Sequence, residues 1–271
     1  MEKINLLELR ATVFRLMMCR NIEDSCELLD IYSNFLLSSI DYHDKLDFSS
    51  QEEADAAMIS QMIFTKILHL KSAVSGITYS NNTGVKLNRI IDPTVVVSLV
   101  RNIFETVGLF NLMFRATDNR DFRYIIYLLW VLSGLKYRQR FEQQAIMEEN
   151  LNKIAQEKQD IDNIIDEIRN SKIYLEQGDS EKSVIEQAIK EKKYLLHFNG
   201  DKIEILHWQR LTETMEIKEG LFDNFYSYFS LYAHPTNVSV FQYADMFKRE
   251  EMTFLDLTNF NTSVPLKLGR Y

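Results

Sequence analysis

The sequence predicts an all-α protein: a helical bundle with two central apolar helices, an inserted antiparallel helical hairpin, and a short irregular or β-like C-terminal tail. Three observations carry that prediction. Only 3 Pro and 8 Gly interrupt 271 residues, so long elements are expected, and the abundant Leu, Ile, Glu, Lys and Gln are good helix formers. Two successive segments, about 93–116 and 122–141, are apolar on nearly every side, which places them at the centre of a fold. From Met147 the apolar positions step by four and three, Met147, Leu151, Ile154, then Ile161, Ile165, Ile168 and Leu175, with Lys158 and Lys172 at the two seam positions that break the run, a heptad-like stripe on an otherwise charged helix.

Taken in order, residues 4–40 read as one or two amphipathic helices with a break at Asn21, the later one turning Leu28, Leu29, Ile31, Tyr32, Phe35 and Leu36 to the core. Ser49 or Ser50 caps the next helix, with Glu52 and Glu53 in its first turn, where the helix dipole favours anions. It runs through Met58, Ile63, Ile67 and Val74 to Gly76. Residues 78–92, with Asn81-Asn82-Thr83-Gly84, read as a loop. Asp92 before Pro93 is a cap followed by proline at the first helical position, and it opens the first central helix. Residues 118–121 turn the chain into the second.

The heptad stripe returns after Gln177-Gly178-Asp179-Ser180 along Val184, Ile185, Ala188, Ile189 and Leu195. This coiled-coil-like hairpin, residues 142–197, is expected as an insertion in a core domain of 1–141 and 198–271. It reads as a packing arm, or alternatively as the surface of a homodimer. Residues 197–201 break it, residues 208–217 form a short helical piece, and an aromatic helix follows to Pro235. Residues 240–250 look helical and 253–257 β-like.

Charge and motifs narrow the function. A net charge of −8 argues against general nucleic-acid binding, although residues 101–140 carry seven Lys/Arg against three acids, ending in Lys136, Arg138 and Arg140. Cys19 and Cys26, read as two turns apart on one helical face, would lie on the order of 10 Å apart, too far for a disulfide. With no secretory signal and no expected membrane span, a cytoplasmic protein with reduced thiols is expected. There is no G-x-S-x-G, Gly-rich phosphate loop, H-E-x-x-H or paired C-x-x-C, so no cofactor and no metal is assigned.

Two constellations remain. Arg101 and Glu105, at i and i+4 with Ser98, Asn102 and Thr106 nearby, make a polar patch at one end of a core helix, either a register-locking pair or a ligand clamp. In the aromatic helix, Asp223, Ser227, Ser230 and His234 fall within roughly a 60° arc. They are not a hydrolase triad, because the ends of such a ladder lie roughly 16 Å apart. His234 precedes Pro235, so the helix is expected to end there.

Ser98-Leu99-Val100-Arg101-Asn102-Ile103-Phe104-Glu105, then Trp208 and the Tyr226-x-x-x-Ser230-x-x-x-His234-Pro235 pattern, together resemble an uncharacterised bacterial family of all-helical proteins. The resemblance covers about residues 60–240 and implies that Arg101, Glu105, Tyr226, Ser230 and His234 converge on one polar pocket. A more distant similarity is to the HEPN helical superfamily, whose R-x(4–6)-H motif serves RNases of toxin and phage-defence systems. Here no Arg lies four to six residues before His234, so Arg101 would have to supply the cation. The expectation is a pocket that is structural or binds a small polar ligand or protein partner. One alternative is a metal-independent, defence-associated RNase with His234 and Arg101 as catalytic groups; another is an oligomerisation scaffold built on the hairpin.

Overall fold

The computed structural model describes residues 5–144, 147–200, 202–215, 224–246 and 258–262. The helices are α1 (Leu6–Met18), α2 (Ile22–His43), α3 (Gln51–Val74), α4 (Pro93–Phe114) and α5 (Arg120–Arg138), then α6 (Glu148–Asn170), α7 (Lys172–Glu176), α8 (Asp179–Glu191), α9 (Phe225–Ala233) and α10 (Asn237–Met246). Two antiparallel β-hairpins, β1 (Ile77–Ser80) with β2 (Lys86–Ile90) and β3 (Leu196–Asn199) with β4 (Lys202–Ile205), are the only strands among the described residues. The protein is therefore all-α with short strand pairs. It divides into two compact units, residues 1–107 with 217–271, and residues 108–216. The expected insertion at 142–197 lies inside the second unit, which also takes in the end of α4 and all of α5.

In the first unit, Cys19 adopts a left-handed conformation (φ 45) that ends α1, and the Asn21 side chain accepts from the Asp24 amide to begin α2. The break expected at Asn21 thus follows from its capping chemistry. It also corrects the reading of the cysteines as one helical face: Cys19 caps α1 while Cys26 sits in α2, and no disulfide joins them. At the next boundary Ser50 accepts from the Glu53 amide, satisfying an orphan helix donor, and the Glu53 side chain reaches back to accept from the Ser49 amide just before the cap. α2 and α3 pack along each other with Leu29, Ile59, Ile63, Leu70 and Val74 buried.

Where a loop was expected at 78–92, β1 and β2 pair instead. Asn81 Oδ1 accepts from the Thr83 and Val85 amides, and Gly84 at φ 85 completes the turn. Every residue of β1 is exposed, so its short apolar–polar alternation, Ile77-Thr78-Tyr79-Ser80, serves no buried face.

α4 begins as expected. Asp92 Oδ1 accepts from the Thr94 amide at 2.8 Å, and Pro93 occupies the first turn. The β-branched run Thr94–Val97 is a poor helix former, but Val96, Val97 and Val100 are wholly buried, and that burial decides the matter. Among the described residues α4 is the one helix long and apolar enough to cross a membrane, and half of its apolar stretch is buried within the protein, as in a core helix.

A helical turn at 258–262 closes the first unit. Its Asn259 donates to the Cys19 carbonyl at 2.6 Å and accepts from Ser25, while Asn261 accepts from the Tyr228 hydroxyl at 3.0 Å. Four polar residues of this turn are buried; these bonds and that of Thr262 to the Thr258 carbonyl offset the cost, while the Asn261 Nδ2 is left without a partner among the described residues.

The second unit is centred on α5, whose Ile125, Ile126, Leu129 and Leu132 are buried. Gly108 lies so close to Leu211 and Met215 that a Cβ would fall 2.8 and 2.6 Å from their side chains. The heptad stripe of α6 packs along α5 rather than zipping to α8, which rests on α5 and β4. Ile168 is buried and Ile154, Ile161 and Ile165 are half-buried, whereas Met147 and Leu151 at the start and Leu175 beyond it are exposed. The basic residues at the end of α5 are absorbed locally: Lys136 donates to the Ile189 carbonyl, Arg138 pairs with the buried Glu157, and Arg140 lies over the Tyr137 ring. The break expected at 197–201 is the β3–β4 hairpin, with Phe198 stacked on Phe122 at 4.2 Å between ring centres. Residues 253–257, read as β-like, lie outside the described residues.

Candidate functional site

The first unit sets α4 against α9 through large side chains. Phe104 meets Phe229 edge-on at 6.3 Å between ring centres, and Tyr226 at 6.4 Å. The two helices run antiparallel, since residues 101–105 lie level with Tyr226–Ser230 whereas Thr94 and Ser98 share a cleft with Ala233 and His234.

At the first of these levels Arg101 is the hub. Its Nε donates to Glu105 at 2.9 Å, Nη2 to the Tyr226 hydroxyl at 2.5 Å and Nη1 to Ser230 at 3.4 Å. Its guanidinium carbon sits 4.5 Å from the centre of the Tyr226 ring, adding a cation–π contact. The Arg101 and Glu105 side chains are only 21% and 25% exposed. Burial pulls the Arg101 pKa down, but the hydrogen bond and charge of Glu105 outweigh it, leaving Arg101 raised and firmly protonated. Burial and the Glu105 charge push the Tyr226 hydroxyl up, so it stays neutral. Lys66 on α3 donates to Thr106, one residue along from Glu105. Burial lowers the Lys66 pKa and the Glu105 charge partly restores it. Glu105 is therefore paired with Arg101 and also lies within reach of the charge of Lys66.

His234 stands apart from this hub. It is the extended cap of α9 (φ −118, ψ 152), the conformation a following proline imposes. Its carbonyl accepts from Ser239, and its exposed side chain lines the wall of a cleft of about 610 Å³. The start of α4 supplies Thr94, Ser98 and Asn102 to that cleft; α9 and α10 supply Tyr232, Ser239 and Tyr243. Val95, Leu99, Pro235 and Val240 provide its apolar lining. α10 is held in place by Thr236, which caps it, and by a Tyr232–Gln242 hydrogen bond.

Of the residues singled out in the sequence, Arg101, Glu105, Tyr226 and Ser230 thus lie together, while His234 belongs to the neighbouring cleft. The polar strip of the aromatic helix divides: Ser230 turns to Arg101, Ser227 is exposed, and Asp223 lies outside the described residues. Lys66 was not singled out, because it sits inside the Ile63–Ile67–Leu70 stripe of a long amphipathic helix. Ser239 and Tyr243 carried no motif either. Among the described residues no group of three or more His, Cys, Asp or Glu could hold a metal ion.

Comparison of the chain with protein-family models, with curated proteins and with solved structures yields no match.

Proposed function

We propose that the protein is a binding module in which the cleft between the start of α4 and the α9–α10 turn takes a small polar ligand. The Arg101–Glu105–Tyr226–Ser230 cluster is the structural wall beside it. The observation that carries this reading is the cleft itself. Its volume of about 610 Å³ falls within the range of small-molecule sites, roughly 300–1,000 Å³, and it combines an apolar lining with a few hydroxyl, amide and imidazole groups. In the same reading we place the chain with the helical family whose R-x-x-x-E and Tyr-x-x-x-Ser-x-x-x-His pattern it shares.

The nuclease alternative has less support, because three nitrogens of Arg101 are already engaged with Glu105, Tyr226 and Ser230 and the cation does not face His234 across the cleft. The test is a thermal-shift screen of neutral and anionic metabolites, followed by calorimetric titration of each hit into the parent protein and Asn102→Leu. Saturable binding to the parent that weakens at least about tenfold in Asn102→Leu, the cost of one lost polar contact, is expected. A screen without any saturable hit overturns the binding reading. Cleavage of an RNA pool by the parent but not by His234→Ala replaces it with the nuclease.

A further inference from the structure

α1 is apolar on nearly every side, yet the protein covers little of it. Leu16 and its cap Cys19 are buried, whereas Leu7 is 74% and Phe14 64% exposed, and Leu6, Leu9, Val13 and Met18 are about half exposed. α2 shows a matching stripe: Ile31, Phe35 and Tyr42, at i, i+4 and i+11, share one face, and Phe35 is 62% exposed. Arg15 pairs with Asp24 and Glu27, which ties the C-terminal end of α1 to the first turns of α2. The earlier turns of α1 and the later turns of α2 are thereby left showing apolar side chains to water. The sequence pattern had assigned Ile31 and Phe35 to the core.

We infer that this surface is a dimer interface, in which α1 of each copy lies on α2 of a second copy of the same chain about a two-fold axis. Area is the first argument. The nine large side chains about half exposed on these two helices present on the order of 1,000 Å² of apolar surface. That exceeds the roughly 300–600 Å² of the largest patch on an ordinary monomer and reaches the roughly 800 Å² per partner of a stable interface.

Charge is the second. Of the acids on α2, Asp24 and Glu27 pair with Arg15, Asp30 with Lys71 and Asp41 with Lys45, which leaves Glu23 on α2 and Arg10 on α1 as charges open to a second copy. Arg10 of one copy set against Glu23 of the other is a pairing that a two-fold axis makes twice. The hairpin of residues 148–191, by contrast, has the middle of its stripe packed on α5 and shows no comparable surface.

Sedimentation equilibrium of the full chain tests the inference. The parent is expected at twice its 32.0 kDa chain mass, and Phe14→Asp and Phe35→Asp are each expected at the chain mass itself, with unchanged circular dichroism. Because both side chains already face water, the folds of these variants should survive; should either fail to fold, Leu7→Lys, the most exposed position, takes its place. Arg10→Glu is expected to weaken the dimer at least about tenfold at low salt. A parent that stays monomeric at the highest soluble concentration overturns the inference. So does a dimer that persists in Phe14→Asp and disappears on deletion of residues 148–191, or a monomer that floats with phosphatidylcholine vesicles through Phe14.

Discussion

Replacing Arg101 by Ala removes the centre of the polar cluster between α4 and α9, and the cost can be worked out group by group. Glu105 is left three-quarters buried without its hydrogen-bonded cation, and the Tyr226 hydroxyl loses a charge-assisted donor. Breaking one side of a fully buried pair costs about 3–5 kcal/mol. Two features reduce that here: both side chains keep about a quarter of their surface in water, and the charge of Lys66 still reaches Glu105. The expected loss is therefore about 2–4 kcal/mol, which for a protein of this size lowers Tm by roughly 5–12 °C. Urea unfolding with an unchanged slope gives the same quantity independently. The cycle of Arg101→Ala with Tyr226→Phe should show a coupling of about 1 kcal/mol, as expected for a direct contact. The double variant Arg101→Ala/Glu105→Ala should lose less than the sum of its parts. A Tm for Arg101→Ala within about 1 °C of the parent, or strict additivity with Tyr226→Phe, would refute the claim that this cluster holds α4 to α9.

Two further outcomes follow from other parts of the chain. Tyr228 is pushed well above its ordinary value of 10.0, chiefly by burial, and its hydroxyl donates to Asn261. A group raised in the folded state keeps its full contribution below pH 10 and loses it as the unfolded chain begins to ionise, so stability should fall above pH 10. Tyr226 acts in the same direction and the lowered Lys66 in the opposite one, and Tyr228→Phe should visibly flatten the alkaline slope in pH-jump melts. Gly108→Ala should destabilise by about 1–3 kcal/mol by driving a methyl group into Leu211 and Met215, and Gly108→Ala combined with Met215→Ala should recover part of that loss in the same chemical melt.

Much of the architecture was legible in the sequence because its signals are local. The caps at Asn21, Ser50 and Asp92 and the stop at His234-Pro235 each depend on one or two neighbouring side chains, and the chain folds as they dictate. The β-hairpins were missed for different reasons. β1 alternates over only four residues and buries none of them, whereas β3–β4 did carry Asn199-Gly200 between alternating apolar residues, a usable hairpin signal that was read only as a break. The α6 stripe announced a helix with one sticky face but not its partner, since the heptad spacing suits α5 as well as α8. In the candidate site, the i, i+4 spacing of Arg101 and Glu105 flagged the pair. Lys66 and the α10 wall of the cleft arrive from distant sequence, where no spacing rule reaches.

The buried turn at 258–262 has a consequence for how the protein comes to exist. Asn259 holds the α1–α2 junction from 234 and 240 positions away, at Ser25 and Cys19, and the unit it completes is interrupted by the whole of residues 108–216. During synthesis, α1 to α3 leave the ribosome long before their last buried polar partners are made. The inserted unit can close as soon as its own residues emerge, while the first unit must wait with its N-terminal helices unlatched. A ribosome stalled before residue 258 should therefore carry a protease-resistant inserted unit beside a cleavable α1–α2 junction, and release of the full chain should seal that junction last.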